Sequence, residues 1–427
     1  MSERKKILSI ALPAMAENFL QMLMGLVDSY LVSSLGLVAI SGVSLASNII
    51  IIYQALFIAL GAAVSSFISK GKGQGDQQQE AHYATESLKL TFLVSLVLAL
   101  LSIFFGPFML SFLGAAPDVT QEASLYLSLV GGGVVFLGLM TNLGSLVRVY
   151  GKPTLPMYAS IISNLFNILI SGLGIYVFGW GIAGVALGTV ISRAIGAYLL
   201  WSSLTISFEK PSWGLDASLY HMALPAAGER LMMRAGDIVV LTLIVPFGTA
   251  SLAGNSLGEV LTQFIYMPVF GIGTASVILV AQAFGKGAME EVEGIKNQAY
   301  VLSLAFMLPI SLFIWLLSPA ITGLFTSNQE AIQVSSMVAL FSLLCLPMTA
   351  GTVIYTALWQ GLGQTKLPFY ATSIGMWMIR IGAGWLLGWG LDLGLPGVYM
   401  GTLLDNGFRW IYLHYRYNRY KKTLEPA

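Results

Sequence analysis

Charge is what this sequence most lacks. Only 10% of its 427 residues are Asp, Glu, Lys or Arg, against about 25% in an average soluble domain. A water-facing globule of that length could not cover itself with so few polar groups. The 20 acidic and 21 basic residues nearly cancel, leaving a net charge of +1, which removes the electrostatic case for nucleic acid as a partner. Cysteine occurs once, at Cys345, and this rules out an internal disulfide or a cysteine-based metal cluster. His82, His221 and His414 are the only histidines, scattered at segment edges, so no histidine-rich metal site is expected. No H-E-x-x-H or G-x-S-x-G occurs, and no paired catalytic aspartates stand beside a metal or nucleophile partner. The chain is therefore read as a non-enzyme without a cofactor.

What it has instead is apolar length. Hydrophobic residues make up 56% of the chain and recur in long stretches from end to end, so the expected solvent is a lipid bilayer. Apolar length and polar, Gly- or Pro-bearing ends mark twelve spans. The first six run over 8–35, 42–69, 88–113, 122–147, 156–179 and 184–206. The second six run over 217–246, 253–283, 298–324, 331–359, 367–390 and 396–415. The opening MSERKKILSIALPAMA has the outline of a signal peptide, but its apolar run continues past Glu17 and Asn18 to Leu35, so it is read as the first span. Basic residues lie at one set of connections: Arg4, Lys5, Lys6, Lys70, Lys72, Arg148, Lys152, Lys210, Lys286, Lys296, Lys366 and the tail Arg416, Arg419, Lys421 and Lys422. The alternate connections carry none, so both termini are expected in the cytoplasm of a multi-pass cell (inner or plasma) membrane protein.

One half is written twice. ALPAMAENFL from Ala11 and ALPAAGERLM from Ala223 stand 212 residues apart, and that offset also aligns Glu17 with Glu229, GVSL from Gly42 with GNSL from Gly254, Gly61 with Gly273, and LPMYA from Leu155 with LPFYA from Leu367. The fold class that follows is an all-α membrane protein of twelve transmembrane helices in two parallel six-helix lobes. The expected division is an N-lobe over 1–208, a cytoplasmic connector over 209–216 and a C-lobe with a basic tail over 217–427. In transporters, parallel repeats of this kind hold substrate between lobes that rock.

Acids at membrane depth are costly and are therefore functional candidates. Span 1 places Glu17, Gln21, Met24 and Asp28 at i, i+4, i+7 and i+11, so Glu17 and Asp28 fall within about 20° on one helical face, with ~16 Å of rise between them. No basic residue of that span neutralises them. Span 5 repeats the spacing with Ser160, Asn164, Asn167 and Ser171. Such a stripe serves either as helix–helix glue or, beside an unpaired aspartate, as oxygen ligands for a sodium ion or partners for a protonated carboxyl. Span 7 carries Glu229, Arg230, Arg234 and Asp237, which sum to zero charge. Glu259 and Arg380 extend that set across helices, either as structural or gating ionic contacts or as a second cation or substrate-charge site. Asp405 and Arg409 read as a simple i, i+4 pair. Flexible thioethers and aromatic faces, Met24, Tyr53, Met233, Tyr266 and Trp377 among them, suit variable amphipathic or cationic ligands, though core or lipid-facing packing serves any one of them equally well.

GLVDSYLVSSLG in span 1, the paired ALPA starts, the G-x-x-x-LP segments GKPTLP and GQTKLP, and GWGIAGVALGTVIS across spans 5 and 6 resemble the multidrug and toxic compound extrusion (MATE) family, on the side of its DinF-like bacterial and archaeal branch. The resemblance covers nearly the whole chain. It implies an antiporter that exports small cationic or amphipathic drugs in exchange for protons or sodium ions, and a monomer is expected. The alternative within the same superfamily is a lipid-linked glycan flippase. In archaeal and related members an Asp on helix 1 clusters with an Asn and an Asp on helix 5 and a Thr on helix 6. Motif by motif these are Asp28, Asn167, Ser171 and Thr189, with any sodium ion held at Asp28 and Asn167. Ser171 departs from that pattern, because the second carboxylate is missing. The branch of sodium-driven bacterial exporters carries a Glu near Met233 and an Asp near Thr349, and both are absent here.

Overall fold

The computed structural model describes residues 2–114, 116–206, 208–209, 214 and 216–424. Of the predicted connector 209–216, only Glu209, Gly214 and Asp216 are among them, and Lys210 lies outside. The described residues build twelve helical stretches, each over one of the predicted spans. In chain order they begin with α1 (Glu3–Ser33), α2 (Leu37–Gln74) and α3 (Gln77–Phe112). Next come α4 (Pro117–Gly132), α5 (Val134–Val149), α6 (Leu155–Tyr176) and α7 (Ile182–Ser203). The second half holds α8 (Ala217–Ile244), α9 (Thr249–Gly285), α10 (Met289–Gly323) and α11 (Gln329–Gly361), followed by α12 (Lys366–Ile374), α13 (Ile381–Trp385) and α14 (Gly394–Leu424).

Two stretches depart from plain helices. Span 4 is α4 and α5 joined at a 44° bend, where three successive glycines, Gly131 to Gly133, remove side chains from the crossing. A Cβ on Gly133 would stand 2.7 Å from Val190 Cγ1. Span 11 alternates α12 and α13 with π-helical turns at Gly375–Arg380 and Leu386–Gly390, a form that recurs at functional sites.

Eight of these helices are long and apolar enough to cross a membrane by themselves, and the bent α4–α5 pair makes nine. The other three stretches are α8, span 11 and α14. They carry most of the charged residues that meet in the second half, namely Asp237 on α8, Arg380 at the end of the first π turn, and Asp405 and Arg409 on α14. Their weak apolar signature and the ionic network described below have one cause.

The chain divides into two compact units, Leu12–Ala223, and Met1–Ala11 with Leu224–Ala427. In the first, Phe57, Leu110, Leu127, Val134 and Val185 are fully buried in a core built from α2 to α5 and α7. Its α6 and α7 touch backbone to backbone, since a Cβ on Gly174 would lie 2.7 Å from Gly184 Cα. In the second, Ile244, Val334, Val338, Leu395 and Val398 join α8, α11 and α14.

The start of α8 is fixed by its cap. Asp216 Oδ1 accepts the N–H groups of Ser218 and Leu219 at 2.7 and 3.2 Å, while its other oxygen lies 3.0 Å from His82 Nε2 on α3. Glu209 sits 3.1 Å from the other ring nitrogen of His82. Burial opposes the charge on Asp216, but the His82 ring and the two capping N–H groups together hold its carboxyl below the usual range. A depressed folded-state value stabilises above the unfolded pKa of ~3.9, and that contribution is lost as pH falls through the folded value. Asp216→Ala is therefore expected to cost about 1 kcal/mol at neutral pH, read as a lower melting temperature in detergent. The difference from wild type should shrink as the pH is taken below about 4.

Candidate functional site

In the Leu12–Ala223 unit the polar stripe of α6 faces α7. Asn167 and Ser171 are fully buried. Ser171 Oγ donates to Asn167 Oδ1 at 3.0 Å, and Asn167 Nδ2 reaches Thr189 Oγ1 at 3.4 Å. Gly188 makes this meeting possible, because a Cβ there would collide with Ser171 Oγ. Asp28 comes to the cluster from α1: its carboxyl lies beside Asn167, and Oδ1 is buried with no hydrogen-bond partner among the described residues. Asp28, Asn167, Ser171 and Thr189 thus share one site. Chemically it is a lone acid with one uncommitted oxygen, set among amide and hydroxyl groups that satisfy one another.

Two further candidates of span 1 and span 5 go elsewhere. Glu17 forms an ion pair with Arg148 of α5, the two side chains being 12% and 11% exposed. The basic partner that its own span lacks is supplied by another helix. Asn164 donates to the Leu20 carbonyl at 2.9 Å, tying α6 to the backbone of α1. Both act as helix–helix contacts and neither joins Asp28.

The site also holds residues that the sequence reading passed over. Arg193 of α7 lies within electrostatic reach of Asp28 and Tyr126, yet it forms no ion pair within 4 Å among the described residues. Tyr126 of α4 is 5% exposed and faces Thr189 and Ser47. A signal for Arg193 was present: it follows Thr189 by four residues, on the same helical face. It is also the one cation inside span 6.

In the second unit the charged residues form a continuous chain. Arg380 reaches Asp237 at 3.4 Å and Asp405 at 2.8 Å, and Arg409 meets the same Asp405 at 2.8 Å. Arg234 stands 3.8 Å from Asp237. Glu259 faces Asp237 and Arg380 from α9. At the other end Glu229 accepts from Thr372 at 3.4 Å and lies beside Arg230 and Arg409. The expectation of an isolated Asp405–Arg409 pair is corrected: Asp405, 0% exposed, is shared by two arginines because the π turn delivers Arg380 to it. Gly375 leaves the room, since a Cβ there would run into Asp405 Oδ1.

Of the ligand-pocket candidates, Tyr53 is 3% exposed, packed in the first unit's core with its hydroxyl 3.0 Å from Ser102 Oγ. Trp377 is 39% exposed, and Met24, Met233 and Tyr266 are half-buried.

An all-helical repeat that buries a lone acid and an ionic chain within apolar helices defines a multi-pass membrane transporter. The MatE family profile matches residues 13–173 and 225–386, two copies whose starts stand 212 residues apart, and the chain belongs to that family. It is 27% identical to the probable multidrug resistance protein NorM of Thermotoga maritima, over 95% of this chain and 90% of that one. It is 23% identical to the multidrug export protein MepA of Staphylococcus aureus, over 85% and 82%. Among solved structures, the fold matches an outward-facing multidrug resistance MATE family transporter with a TM-score of 0.93 at 21% identity, over 100% of this chain and 98% of the other. It also matches a MOP superfamily transporter from Pyrococcus furiosus, with a TM-score of 0.92 at 20% identity and the same coverage.

Proposed function

We propose that the chain is a cation-coupled multidrug antiporter, exporting cationic or amphipathic compounds by alternating access, with Asp28 as the group that carries the coupling ion. The observation behind this reading is Oδ1 of Asp28, a buried carboxylate oxygen with no hydrogen-bond donor among the described residues. Such an oxygen is costly to keep and is retained at membrane depth where it is used. A coupling ion shifts a transporter between states only by binding them unequally, and an acid that is ion-bound in one state and bare in the other meets that condition. The names of the relatives from Thermotoga maritima and Staphylococcus aureus support drug-like substrates. Within the second unit the partly exposed Trp377, with Met233 and Tyr266, and within the first unit Met24, supply polarisable groups of the kind that variable cations favour.

In this reading the protein is a monomer of the cell membrane with both termini cytoplasmic, and the ionic chain of the second unit holds helices together or gates them. The test is efflux of a fluorescent lipophilic cation from liposomes under separately imposed proton and sodium gradients. At least one gradient is expected to speed efflux several-fold over the ion-balanced control. Translocation of a lipid-linked glycan by the same preparation, without driven dye efflux, would overturn the reading in favour of a flippase.

A further inference from the structure

Sodium does not fit the Asp28 cluster, and the misfit has an identifiable author in Arg193. A hard monovalent cation needs several free oxygen donors and a negative local field. The oxygens are partly engaged, since Asn167 Oδ1 accepts from Ser171 at 3.0 Å and its Nδ2 is turned to Thr189 at 3.4 Å. The Ser171 and Thr189 hydroxyls give away a hydrogen but keep lone pairs, so the local field decides against sodium. Ser171 brings a hydroxyl where a second acid would bring charge. The groups that face Asp28 from the neighbouring helices are Tyr126 on α4, Asn167 on α6 and Arg193 on α7, and the only formal charge among them is positive. A guanidinium stays protonated at any physiological pH, so one carboxylate and one arginine leave the cluster with no net charge.

We infer that Arg193 is the ion-selectivity residue of this transporter: its fixed charge, within reach of Asp28 but not paired to it, keeps sodium out. The inference rests on the proposal that Asp28 carries the coupling ion, and it concerns which ion that is. At an effective dielectric constant near 20, removing a unit positive charge several ångströms from a cation site raises monovalent-cation affinity on the order of tenfold or more.

The experiment compares wild type, Arg193→Gln, Arg193→Lys and Asp28→Asn in two readouts. The first is melting temperature of the purified protein in sodium chloride against choline chloride, and the second is lipophilic-dye efflux driven by a sodium gradient at fixed pH. Wild type and Arg193→Lys are expected to show no sodium-specific effect in either. Arg193→Gln is expected to gain both a sodium-dependent rise in melting temperature and sodium-driven efflux. Sodium-specific stabilisation of the wild type that Asp28→Asn removes would overturn the inference, and this arm decides the matter even if Arg193→Gln fails to fold. A folded Arg193→Gln protein without any sodium response would also overturn it. If instead Asp28→Asn leaves gradient-driven efflux intact, the coupling role of Asp28 fails, while the sodium-binding readout on the Arg193 variants still judges selectivity separately.

Discussion

Asp28→Asn is expected to reduce gradient-driven efflux to the passive background, a loss of at least tenfold, while the protein still folds and inserts. The substitution keeps the shape of the side chain and removes the group that binds and releases an ion, so the imposed gradient no longer distinguishes two states. Folding should survive because the wild-type Oδ1 has no hydrogen-bond partner to lose among the described residues, and an amide is cheaper to bury than an ionised acid.

The contrast with Glu17 makes this result specific. Both acids lie on one face of α1, but Glu17 is ion-paired to Arg148 with both side chains nearly buried. Glu17→Gln leaves the Arg148 guanidinium without its partner, and breaking a buried pair costs about 3–5 kcal/mol; at the residual exposure seen here a value toward the lower end is expected. Glu17→Gln should thus lower the melting temperature while the surviving protein still responds to a gradient, and Asp28→Asn should do the reverse. If both variants lose stability and retain coupling, Asp28 is a packing residue.

How far these sites were legible in the sequence depends on which force placed each residue. The twelve spans were readable because a bilayer demands length and apolarity, and the 212-residue register was readable because matched Gly, Pro and Glu positions survive in both copies. Asp28 stood out since no cation shares its helix. Arg193 did not, although it sits one turn after Thr189, because periodicity within α7 says nothing of which partner helix its face meets. Glu17 reads as a second coupling acid for the same reason: its counter-ion, Arg148, is 131 positions away, just past the end of the apolar run over 122–147. The bend after Gly132 announces itself in three glycines, but the π turns of span 11 do not. They widen the helix by one residue per turn, which moves Arg380 off the face that a 3.6-residue period assigns it and onto Asp405.

That displacement sets up the largest expected effect on stability. Asp405 is fully buried and is shared by two guanidinium groups, Arg380 at 13% and Arg409 at 3% side-chain exposure, each at 2.8 Å. Asp405→Ala would strand two positive charges in an apolar setting. Losing one partner of a buried pair costs about 3–5 kcal/mol, and with two cations sharing the acid the upper part of that range is expected. Arg380 retains Asp237 at 3.4 Å as a weaker anchor, whereas Arg409 retains Asn406 Oδ1 at 3.2 Å and the proximity of Glu229 and Asp237. Arg234→Ala is the control, because its side chain is 55% exposed and 3.8 Å from Asp237, so the loss should stay within about 1 kcal/mol. Removing Arg409 together with Asp405, as a hydrophobic pair of similar volume, should recover much of the lost stability, since the penalty lies in the unpaired charge rather than in the absent bridge. Melting temperatures of the four proteins in one detergent check the ordering. A single Asp405→Ala no worse than Arg234→Ala would mean that water reaches the chain of charges and that the buried network does not hold α8, span 11 and α14 together.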